Sequence, residues 1–438
     1  MTTTHSTNNV TSLFTKPVVI SDDDHNITRS QINENALKVL YRLKNAGYKA
    51  YLVGGCIRDL LIGIQPKDFD VVTDARPEQI RELFRNCRLI GRRFRLAHVR
   101  YGQEIIEVST FRAPHHSAAG EGHTEEGRIV RDNVYGDIDD DVWRRDFTIN
   151  ALFFNIEDHS ITDYVNALSD INTRQIRLIG EPDDRYKEDP VRMLRAIRFA
   201  AKLDFELHPS TEKPISELKD LLNRIPTARL FEEFLKLFMS GHALMSYKKL
   251  LQYGLFEYLC PQADHILKEQ NYYMVDNLLS QAFSNTDLRI SEGKPVTPAF
   301  LLAAILWIPI VRLKDEHISN GLTEMDATQL ASDTVISRQV KSLAVPRRYS
   351  RIAREIWELQ NRMKHIHGKK PYRLLSHPRF RAAYDFLALR AKAGENIEEL
   401  VDWWTVFQEQ NFEQYGYHTR DLHRPFARKK RKKRRDRY

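Results

Sequence analysis

Two short motifs near the start of the chain combine glycine, arginine and aspartate at a spacing that suits phosphate and metal chemistry. In the first motif, Gly54 and Gly55 follow an apolar run, and Arg58 comes three residues after the second glycine. A strand that passes through two glycines into a helix lets backbone N–H groups approach a phosphate without an intervening side chain. Arg58 would lie one turn into that helix, within reach of the same anion.

In the second motif, Asp68 and Asp70 flank a single phenylalanine. Residues two apart on a strand share a face at about 6.5–7 Å. Two such carboxylates can hold a pair of Mg²⁺ ions about 4 Å apart, which activate a hydroxyl and stabilise a leaving pyrophosphate. A solvated turn is the alternative interpretation. The apolar Val71 and Val72 that follow instead favour a partly buried strand, where two like charges need a cation.

The apolar spacing divides the chain into an α/β first part and a helical second part. Residues 1–30 are polar and are expected to be disordered. Helical and strand patterns then alternate up to a hairpin at residues 97–110. Residues 111–136 are polar and rich in His, Gly and Glu, which predicts a long mobile loop. From about residue 188 to residue 410 amphipathic helices dominate.

The net charge of +8 is concentrated at the C-terminal end. Residues 421–438 contain ten Lys or Arg and two Asp, so the charges before them sum to zero. Like charges in this tail repel one another, which predicts a disordered segment, and they attract polyanions. A solubilising tail or a nuclear address is the alternative. The residues expected to bind nucleic acid are Arg428, Lys429, Lys430, Arg431, Lys432, Lys433, Arg434 and Arg435.

Cysteine content and hydropathy exclude several classes of protein. Cys56, Cys87 and Cys260 are the three cysteines, an odd number without CxxC spacing. This argues against a disulfide framework or a zinc site and fits a reducing cytoplasm. No signal peptide is visible at the N-terminus, and the longest apolar run, residues 299–311, is too short to span a bilayer. A cytoplasmic protein without a membrane partner is expected.

The motifs together resemble the polymerase-β-like nucleotidyltransferases, and most of all the branch that joins bacterial poly(A) polymerases and tRNA CCA-adding enzymes. The resemblance is specific over about residues 35–260 and looser in the later helices. It is carried by residues 53–61, 68–70, 107–112, 144–152, 188–199 and 229–233.

The resemblance implies an α/β nucleotidyltransferase head of the polymerase-β type, followed by an all-α body and the disordered basic tail. The expected units are a disordered N-terminus at 1–30, a catalytic head at 31–160, a helical nucleotide-selecting neck at 161–260, a helical RNA-binding body at 261–415 and the tail at 416–438.

The resemblance also implies that Asp146 joins Asp68 and Asp70 as the third catalytic carboxylate. Glu107 is the rival for this position, because it lies in the middle of a predicted strand. Holding the ribose of the nucleotide is the alternative role for Asp146.

Arg144 and Arg145 are expected to help neutralise the triphosphate, alongside Gly54, Gly55 and Arg58. A surface pair between arginine and aspartate is the alternative, and such pairs contribute little stability.

Base selection is implied for Asp189 and Arg192. Pro190 suits a first helical turn, so Asp189 and Arg192 are expected at positions i and i+3 on one face of a helix. A carboxylate can accept a hydrogen bond from adenine N6, and a guanidinium can donate one to adenine N1. The family uses this pair on the Watson–Crick edge of the incoming base. A routine helical ion pair is the alternative.

Three features favour polyadenylation over CCA addition. Residues 88–99 and, less specifically, residues 380–390 resemble the poly(A) polymerase branch, and the basic tail suits a polymerase that acts on many RNAs. No His-Asp dipeptide occurs, so the phosphohydrolase domain of some CCA-adding enzymes is not expected.

The expected activity is template-independent addition of adenylate from ATP to RNA 3′ ends, with two Mg²⁺ ions (Mn²⁺ as the alternative metal) and release of pyrophosphate, which would promote RNA decay. The expected partners are RNA 3′ ends and RNA-decay enzymes or an RNA chaperone. A tRNA CCA-adding enzyme is the alternative. A non-catalytic RNA-binding protein on the same fold is a lesser one, because Asp68, Asp70 and Asp146 are all present.

Overall fold

The computed structural model describes residues 16–91, 95–113, 124–125, 128–129, 134–269 and 273–415. The chain divides into two units. The first comprises Met1–Arg192 and Leu203–Leu218, and the second comprises Met193–Lys202 and Lys219–Tyr438. All described strands lie in the first unit, and the described part of the second unit is helical. The expected sequence of an α/β head and an all-α body is confirmed.

An eight-stranded sheet is the framework of the first unit. The described strands are β1 (Val18–Ile20), β2 (Ala50–Val53), β3 (Asp70–Thr73), β4 (Cys87–Ile90), β5 (Leu96–Tyr101), β6 (Glu104–Thr110), β7 (Thr124–Glu125), β8 (Arg128–Ile129), β9 (Leu152–Phe154), β10 (Ile161–Asp163), β11 (Gln175–Ile176) and β12 (Glu206–Leu207). The order in the large sheet is β1-β10-β9-β2-β3-β6-β5-β4. Its neighbouring strands are antiparallel except β3 and β6, which are parallel. β11 pairs with β12 and β7 with β8.

Apolar side chains on the central strands build the core of the first unit. Val53 of β2 and Val72 of β3 pack with Phe111, Val142 and Phe153, all nearly inaccessible to solvent. Removing this apolar surface from water is the main force that holds the sheet to its helices. Strands β2 and β3, which adjoin the two motifs, are therefore anchored in the core.

Local sequence signals set the starts of two helices in the first unit. Asn33 caps α1 by accepting from the backbone N–H groups of Asn35 and Ala36, and Pro77 opens α3. The bounds are α1 (Glu34–Asn45), α2 (Gly55–Leu61), α3 (Pro77–Leu83), α4 (Ile138–Arg144), α5 (Ala167–Asn172), α6 (Pro182–Glu188), α7 (Val191–Leu203), α8 (Pro209–Glu212) and α9 (Ile215–Leu218). Residues 193–202 of α7 belong to the second unit.

The second unit is a set of helices with an aromatic core. Trp404 is fully buried, and its indole N–H donates to the carbonyl oxygen of Met363 at 3.0 Å. Its ring lies 5.4 Å from that of Phe380, so Trp404 is a core residue. The bounds are α10 (Thr227–Phe238), α11 (Ala243–Gln252), α12 (Phe256–Leu259), α13 (Pro261–Leu267), α14 (Tyr273–Ser291), α15 (Pro298–Ile305), α16 (Trp307–Ser319), α17 (Glu324–Ser342), α18 (Arg347–Met363), α19 (Lys370–Leu375), α20 (Phe380–Lys392) and α21 (Glu398–Tyr415).

The sequence predicts neither a disulfide framework nor a helix that spans a membrane. The thiols of Cys56, Cys87 and Cys260 are free. In the described part of the chain, no helix has the length and apolar character needed to cross a membrane.

Two expected boundaries were wrong. Residues 18–20 are not disordered, because β1 pairs antiparallel with β10 at the edge of the sheet. Residues 1–15 lie outside the described residues. The head also does not end at residue 160, since β10 (Ile161–Asp163) lies between β1 and β9 in the same sheet. Both errors concern three-residue strands that are stabilised by their sheet neighbours, so local composition gives little signal of them.

The pairing of β1 predicts different effects for two neighbouring substitutions. Ile20→Ala should lower the free energy of unfolding by about 2 kcal/mol in urea denaturation, because the Ile20 side chain is buried. Val19→Ala is the matched control. The side chain of Val19 is 64% exposed, so the change should stay within about 0.5 kcal/mol. Equal effects of the two substitutions would contradict the burial of the Ile20 side chain.

Candidate active site

The turn at Gly54 brings three segments of the first unit together. Gly54 has φ 83° and ψ −144°, a conformation that other residues rarely adopt. A Cβ atom at Gly54 would lie 3.8 Å from Asp70 Oδ2 and 3.9 Å from Arg145 Nη1. The end of β2, the start of β3 and the residue after α4 therefore meet around a glycine that leaves space between them.

The carboxylates of Asp70 and Glu107 lie side by side on the sheet. Asp70 pairs in register with Glu107 across the parallel strands β3 and β6. In-register residues on neighbouring strands project from the same face. Asp68 lies in the loop before β3, so the expectation that both aspartates are on the strand was wrong for Asp68. All three residues are exposed to solvent.

The surroundings of Asp70 raise the pKa of its carboxyl group. Surrounding protein desolvates Asp70 although its side chain reaches solvent, and this is the largest cause that raises its pKa to about 6. The charge of Glu107 acts next in the same direction, the guanidinium of Arg145 opposes it, and Asp68 adds a smaller increase. A cation next to Asp70 would relieve this repulsion.

Arg145 is held in place by a carboxylate of the preceding helix. Its Nε and Nη2 donate to Asp141 Oδ2 at 3.0 and 2.7 Å, and its guanidinium lies 5.2 Å from the centre of the Phe153 ring. Arg145 is half-buried. The structure thus fixes one positive charge beside Asp70. Triphosphate binding by Arg145 stays a prediction.

Asp146 lies in the loop that follows Arg145. Its Oδ1 accepts from the backbone N–H of Phe147 at 2.9 Å and from Asn150 Nδ2 at 3.3 Å. The like charges that raise the pKa of Asp70 are those of Glu107 and Asp68. Glu107 is the carboxylate that the sheet places beside Asp70, through the register of β3 and β6.

Arg58 lies in the interior, beneath the glycine turn. It is only 2% exposed, and its guanidinium donates to Asp59 Oδ1 and, at 2.5 Å, to Asn150 Oδ1. A Cβ atom at Gly55 would approach Arg58 Nη2 to 3.0 Å. The expectation that Arg58 faces an anion does not match this position, because α2 turns the residue toward the protein. Arg58 instead supports the turn from below.

Asn150 links the motifs, and sequence reasoning missed it. Its side chain accepts from Arg58 and donates to Asp146, and its carbonyl oxygen accepts from Arg145 Nη1 at 3.4 Å. The residue is 8% exposed. In the sequence, Asn150 is marked only by its place within the motif at residues 144–152. Its partners could not be identified from the sequence, because they are distant in the chain or lie on the far side of a turn.

Asp189 and Arg192 are close, but not on one helix. α6 ends at Glu188, Asp189 follows it, and α7 begins at Val191. Asp189 Oδ1 accepts from the backbone N–H of Val191 at 3.2 Å. Arg192 forms an ion pair with Glu188 at 2.8 Å. The prediction of one helix through both residues was wrong, because α6 ends before Asp189 and α7 begins after Pro190.

Arg144 and the basic tail are the other residues predicted to bind phosphate. Arg144 is the last residue of α4 and is half-buried. The basic residues 428–435 lie outside the described residues. Among the residues that the structure describes, no three His, Cys, Asp or Glu side chains are grouped as a ready metal site.

Comparison with known proteins agrees with this geometry. Residues 50–177 match a family described as the poly A polymerase head domain, residues 204–267 a probable RNA and SrmB-binding site of polymerase A, and residues 320–438 a polymerase A arginine-rich C-terminus.

Individual relatives give the same result. Poly(A) polymerase I of Escherichia coli O157:H7 is 50% identical over 397 residues, which cover 89% of this chain and 85% of the relative. The CCA-adding enzyme of Lactobacillus helveticus is 37% identical over 222 residues, 51% of this chain and 54% of that enzyme. The crystal structure of the Bacillus stearothermophilus CCA-adding enzyme in complex with CTP is 23% identical and covers 86% of this chain and 82% of its own, with a TM-score of 0.57. This last likeness concerns the fold.

The raised pKa of Asp70 predicts a pH-dependent gain in stability for Asp70→Asn without metal. The folded-state pKa is about 6, against about 3.9 in an unfolded chain. The wild type therefore loses stability as the pH rises from about 4 to about 6. In EDTA, Asp70→Asn should have a higher Tm than the wild type at pH 7.5 and no advantage near pH 4.

Glu34→Gln is the control, since it removes an exposed carboxylate from α1. It should show no such pH-dependent gain. A lower Tm for Asp70→Asn at pH 7.5 would show that the Asp70 charge is satisfied by the protein itself.

Proposed function

The chain belongs to the poly(A) polymerase family of nucleotidyltransferases, and from this premise we propose that it adds adenylate residues to RNA 3′ ends. ATP is the donor substrate, no template is used, and pyrophosphate leaves. The observation that carries the proposal is the meeting of Gly54, Asp70, Glu107 and Arg145 at one point of the sheet. CCA addition is the second candidate, but the CCA-adding relative matches only about half of the chain.

The carboxylates suit divalent cations. Asp68, Asp70 and Glu107 would hold two Mg²⁺ ions, or Mn²⁺ in their place. Desolvation and the charge of Glu107 disfavour the ionised form of Asp70, and a cation would stabilise that form. When bound, such ions lower the pKa of the attacking 3′-hydroxyl and neutralise the leaving pyrophosphate. The protein supplies the fixed positions of the ligands.

The residues around Gly54 would seat the triphosphate. The missing side chain at Gly54 leaves room for phosphate oxygens beside Asp70. Arg145, oriented by Asp141, places positive charge where charge develops on the leaving group. Arg58 acts indirectly, by holding the turn through Asn150. Asp146 then takes the ribose of the nucleotide.

Base selection is assigned to Asp189 and Arg192. Arg192 is the second residue of α7 and is held at Nη1 by Glu188 and by the carbonyl oxygen of Arg185 at 2.7 Å. A fixed guanidinium can discriminate adenine from other bases by its hydrogen bond to N1. A site built to bond one edge of the base rejects bases that leave its polar groups unpaired.

The RNA strand would be held by the second unit and the tail. Besides residues 428–435, the turn between α17 and α18 carries exposed basic side chains, which we call the basic corner: Arg338, Lys341, Arg347, Arg348 and Arg351. No Asp or Glu separates these residues in the sequence. Within the described residues, Arg338, Lys341 and Arg347 form no ion pair. Their charge is therefore available to phosphates.

The basic corner adjoins α10. The backbone N–H of Ala344 donates to the carbonyl oxygen of Thr227 at 3.2 Å, and the rings of Tyr349 and Phe231 lie 6.1 Å apart. α10 lies within residues 204–267, which match the RNA-binding family model. This adjacency supports a phosphate-binding surface that extends to the basic corner.

The predicted protein partners are RNA-decay enzymes or an RNA chaperone. Promotion of RNA decay is the predicted outcome of polyadenylation. A cytoplasmic location is likewise proposed, from the free thiols of the three cysteines.

Primer extension tests the function. A short RNA with a free 3′-hydroxyl, incubated with Mg²⁺ and one nucleoside triphosphate at a time, should give long ladders with ATP and little product with CTP. Asp68→Asn and Asp70→Asn should each abolish transfer with RNA affinity unchanged. Addition of a few nucleotides that requires CTP and a tRNA acceptor would instead establish CCA addition.

The third carboxylate can be assigned by two further variants. Glu107→Gln should raise the Mg²⁺ concentration needed for half-maximal activity. Asp146→Asn should raise the KM for ATP with a smaller effect on metal dependence. The reverse pattern would restore Asp146 as the third metal ligand.

Salt dependence tests the RNA surface. Each phosphate contact contributes about 0.7 to the slope of log affinity against log salt for single strands. The triple variant Arg338→Gln, Lys341→Gln, Arg347→Gln should flatten the slope by about 2. Removal of residues 424–438 should also flatten it, and neither change should alter chemistry at saturating RNA.

The matched control neutralises three other exposed basic residues of the second unit, with Lys369→Gln, Lys370→Gln and Arg373→Gln. Its slope should equal that of the wild type. If both triple variants flatten the slope equally, the basic corner has no special role.

A further inference from the structure

Arg185 of α6 touches the loop that carries Arg145 and Asp146. Its Nη2 donates to the carbonyl oxygens of Arg145 at 2.6 Å and of Arg144 at 3.2 Å. These two carbonyls lie at the C-terminal end of α4, where backbone oxygens lack helical partners. One guanidinium group therefore fixes the position of this loop.

The same guanidinium also binds Glu188, the carboxylate that holds Arg192, one of the two residues assigned to base selection. Arg185 Nη1 donates to Glu188 Oε2 at 2.7 Å, and Arg192 Nη1 donates to that same oxygen at 2.8 Å. The carbonyl oxygen of Arg185 accepts from Arg192 Nη1 as well. Arg185 thus forms a short path of hydrogen bonds from Arg192 to the loop at Arg145.

This arrangement is electrostatically unfavourable. Two guanidinium groups share one carboxylate oxygen, and burial followed by the charge of Arg192 lowers the pKa of Arg185. The Nε of Arg185 is buried and has no hydrogen-bond partner among the described residues. A buried donor without a partner costs free energy. Because an apolar residue would avoid these costs, they favour a function for this charge beyond stability.

We propose that Arg185 is a positioning residue that couples base selection to nucleotidyl transfer. The inference rests on the function and the roles of Arg192 and Arg145 proposed above. The base and the triphosphate of one nucleotide are covalently joined, so the distance between Arg192 and Arg145 determines which nucleotide is seated correctly. By holding both ends, Arg185 keeps that distance matched to ATP.

Arg177 provides a comparison within the same unit. Its Nε donates to Asp170 at 3.1 Å, and Asp170 accepts from the hydroxyl of Thr148 at 2.7 Å. The carbonyl oxygen of Arg177 accepts from the backbone N–H of Thr148 at 2.9 Å. Arg177 therefore supports the same loop a few residues later, through contacts that do not include Glu188 or Arg192.

The experiment compares Arg185→Gln, Arg185→Lys and Arg177→Gln in the full chain. kcat and KM are measured for ATP and for CTP by primer extension, and Tm is recorded for each variant. Arg185→Gln should lower kcat/KM for ATP about 10- to 100-fold, mainly through kcat, since misplacement by about 1 Å has effects of this size. The loss with CTP should be smaller, so the preference for ATP should shrink.

The conservative variant and the control make the test specific. Arg185→Lys should not restore the preference for ATP, because an ammonium lacks the planar fork that reaches both the carbonyls and Glu188. Arg177→Gln should leave the ratio of ATP to CTP unchanged even if its Tm falls. Equal losses with ATP and CTP, or an equal change of the ratio in Arg177→Gln, would reduce Arg185 to a structural contact.

The wild type separates this inference from the proposed function. If the wild type extends RNA with CTP in preference to ATP, polyadenylation is wrong, and the ratio in Arg185→Gln still reports on coupling. If the wild type transfers no nucleotide, equilibrium binding of ATP and CTP replaces the kinetic readout. The ratio of the two affinities must then shrink in Arg185→Gln and not in Arg177→Gln, or the coupling is refuted.

Discussion

The structure of the candidate active site depends on the repulsion between carboxylates that the sheet holds together. Parallel pairing of β3 with β6 sets Asp70 in register with Glu107, and Asp68 lies two residues before Asp70. Desolvation and then the charge of Glu107 disfavour the ionised form of Asp70, and both raise its pKa. The surrounding features either accommodate these charges or hold the strands that carry them. Gly54 leaves space for a ligand, Arg145 contributes a positive charge, and the core beneath β2 and β3 prevents the strands from moving apart.

A second layer of polar residues holds these groups from inside the protein. Buried Arg58 and Asn150 connect the glycine turn to the loop at Asp146, while Asp141 orients Arg145. Each of these buried charges has a partner, which is the condition for placing charge inside a protein. The network explains how a site made from three distant segments keeps one geometry. It also explains why Arg58 and Arg145 have different roles, although both belong to the motifs.

The sequence by itself determined the chemistry and the order of the two parts of the chain. Gly54, Asp70 and Arg145 meet as expected, and the predicted helices α1, α2 and α3 and the hairpin β5–β6 are present. These features depend on local signals: alternating apolar residues, capping side chains, proline at a first helical turn, and motifs whose residue types suit phosphate and metal. The helical second part was predicted for the same reason, because its apolar period is local.

Only the tertiary structure decided which residues share a surface. Glu107 lies beside Asp70 because β3 and β6 pair, although many residues separate them in the chain. Arg58 faces the interior, where it binds Asp59 and Asn150. Asp189 lies between α6 and α7, whereas Arg192 lies on α7. Strand β1 forms because it pairs with the free edge of β10. Each result depends on contacts between segments far apart or on the direction of a single turn, and neither is encoded in local periodicity.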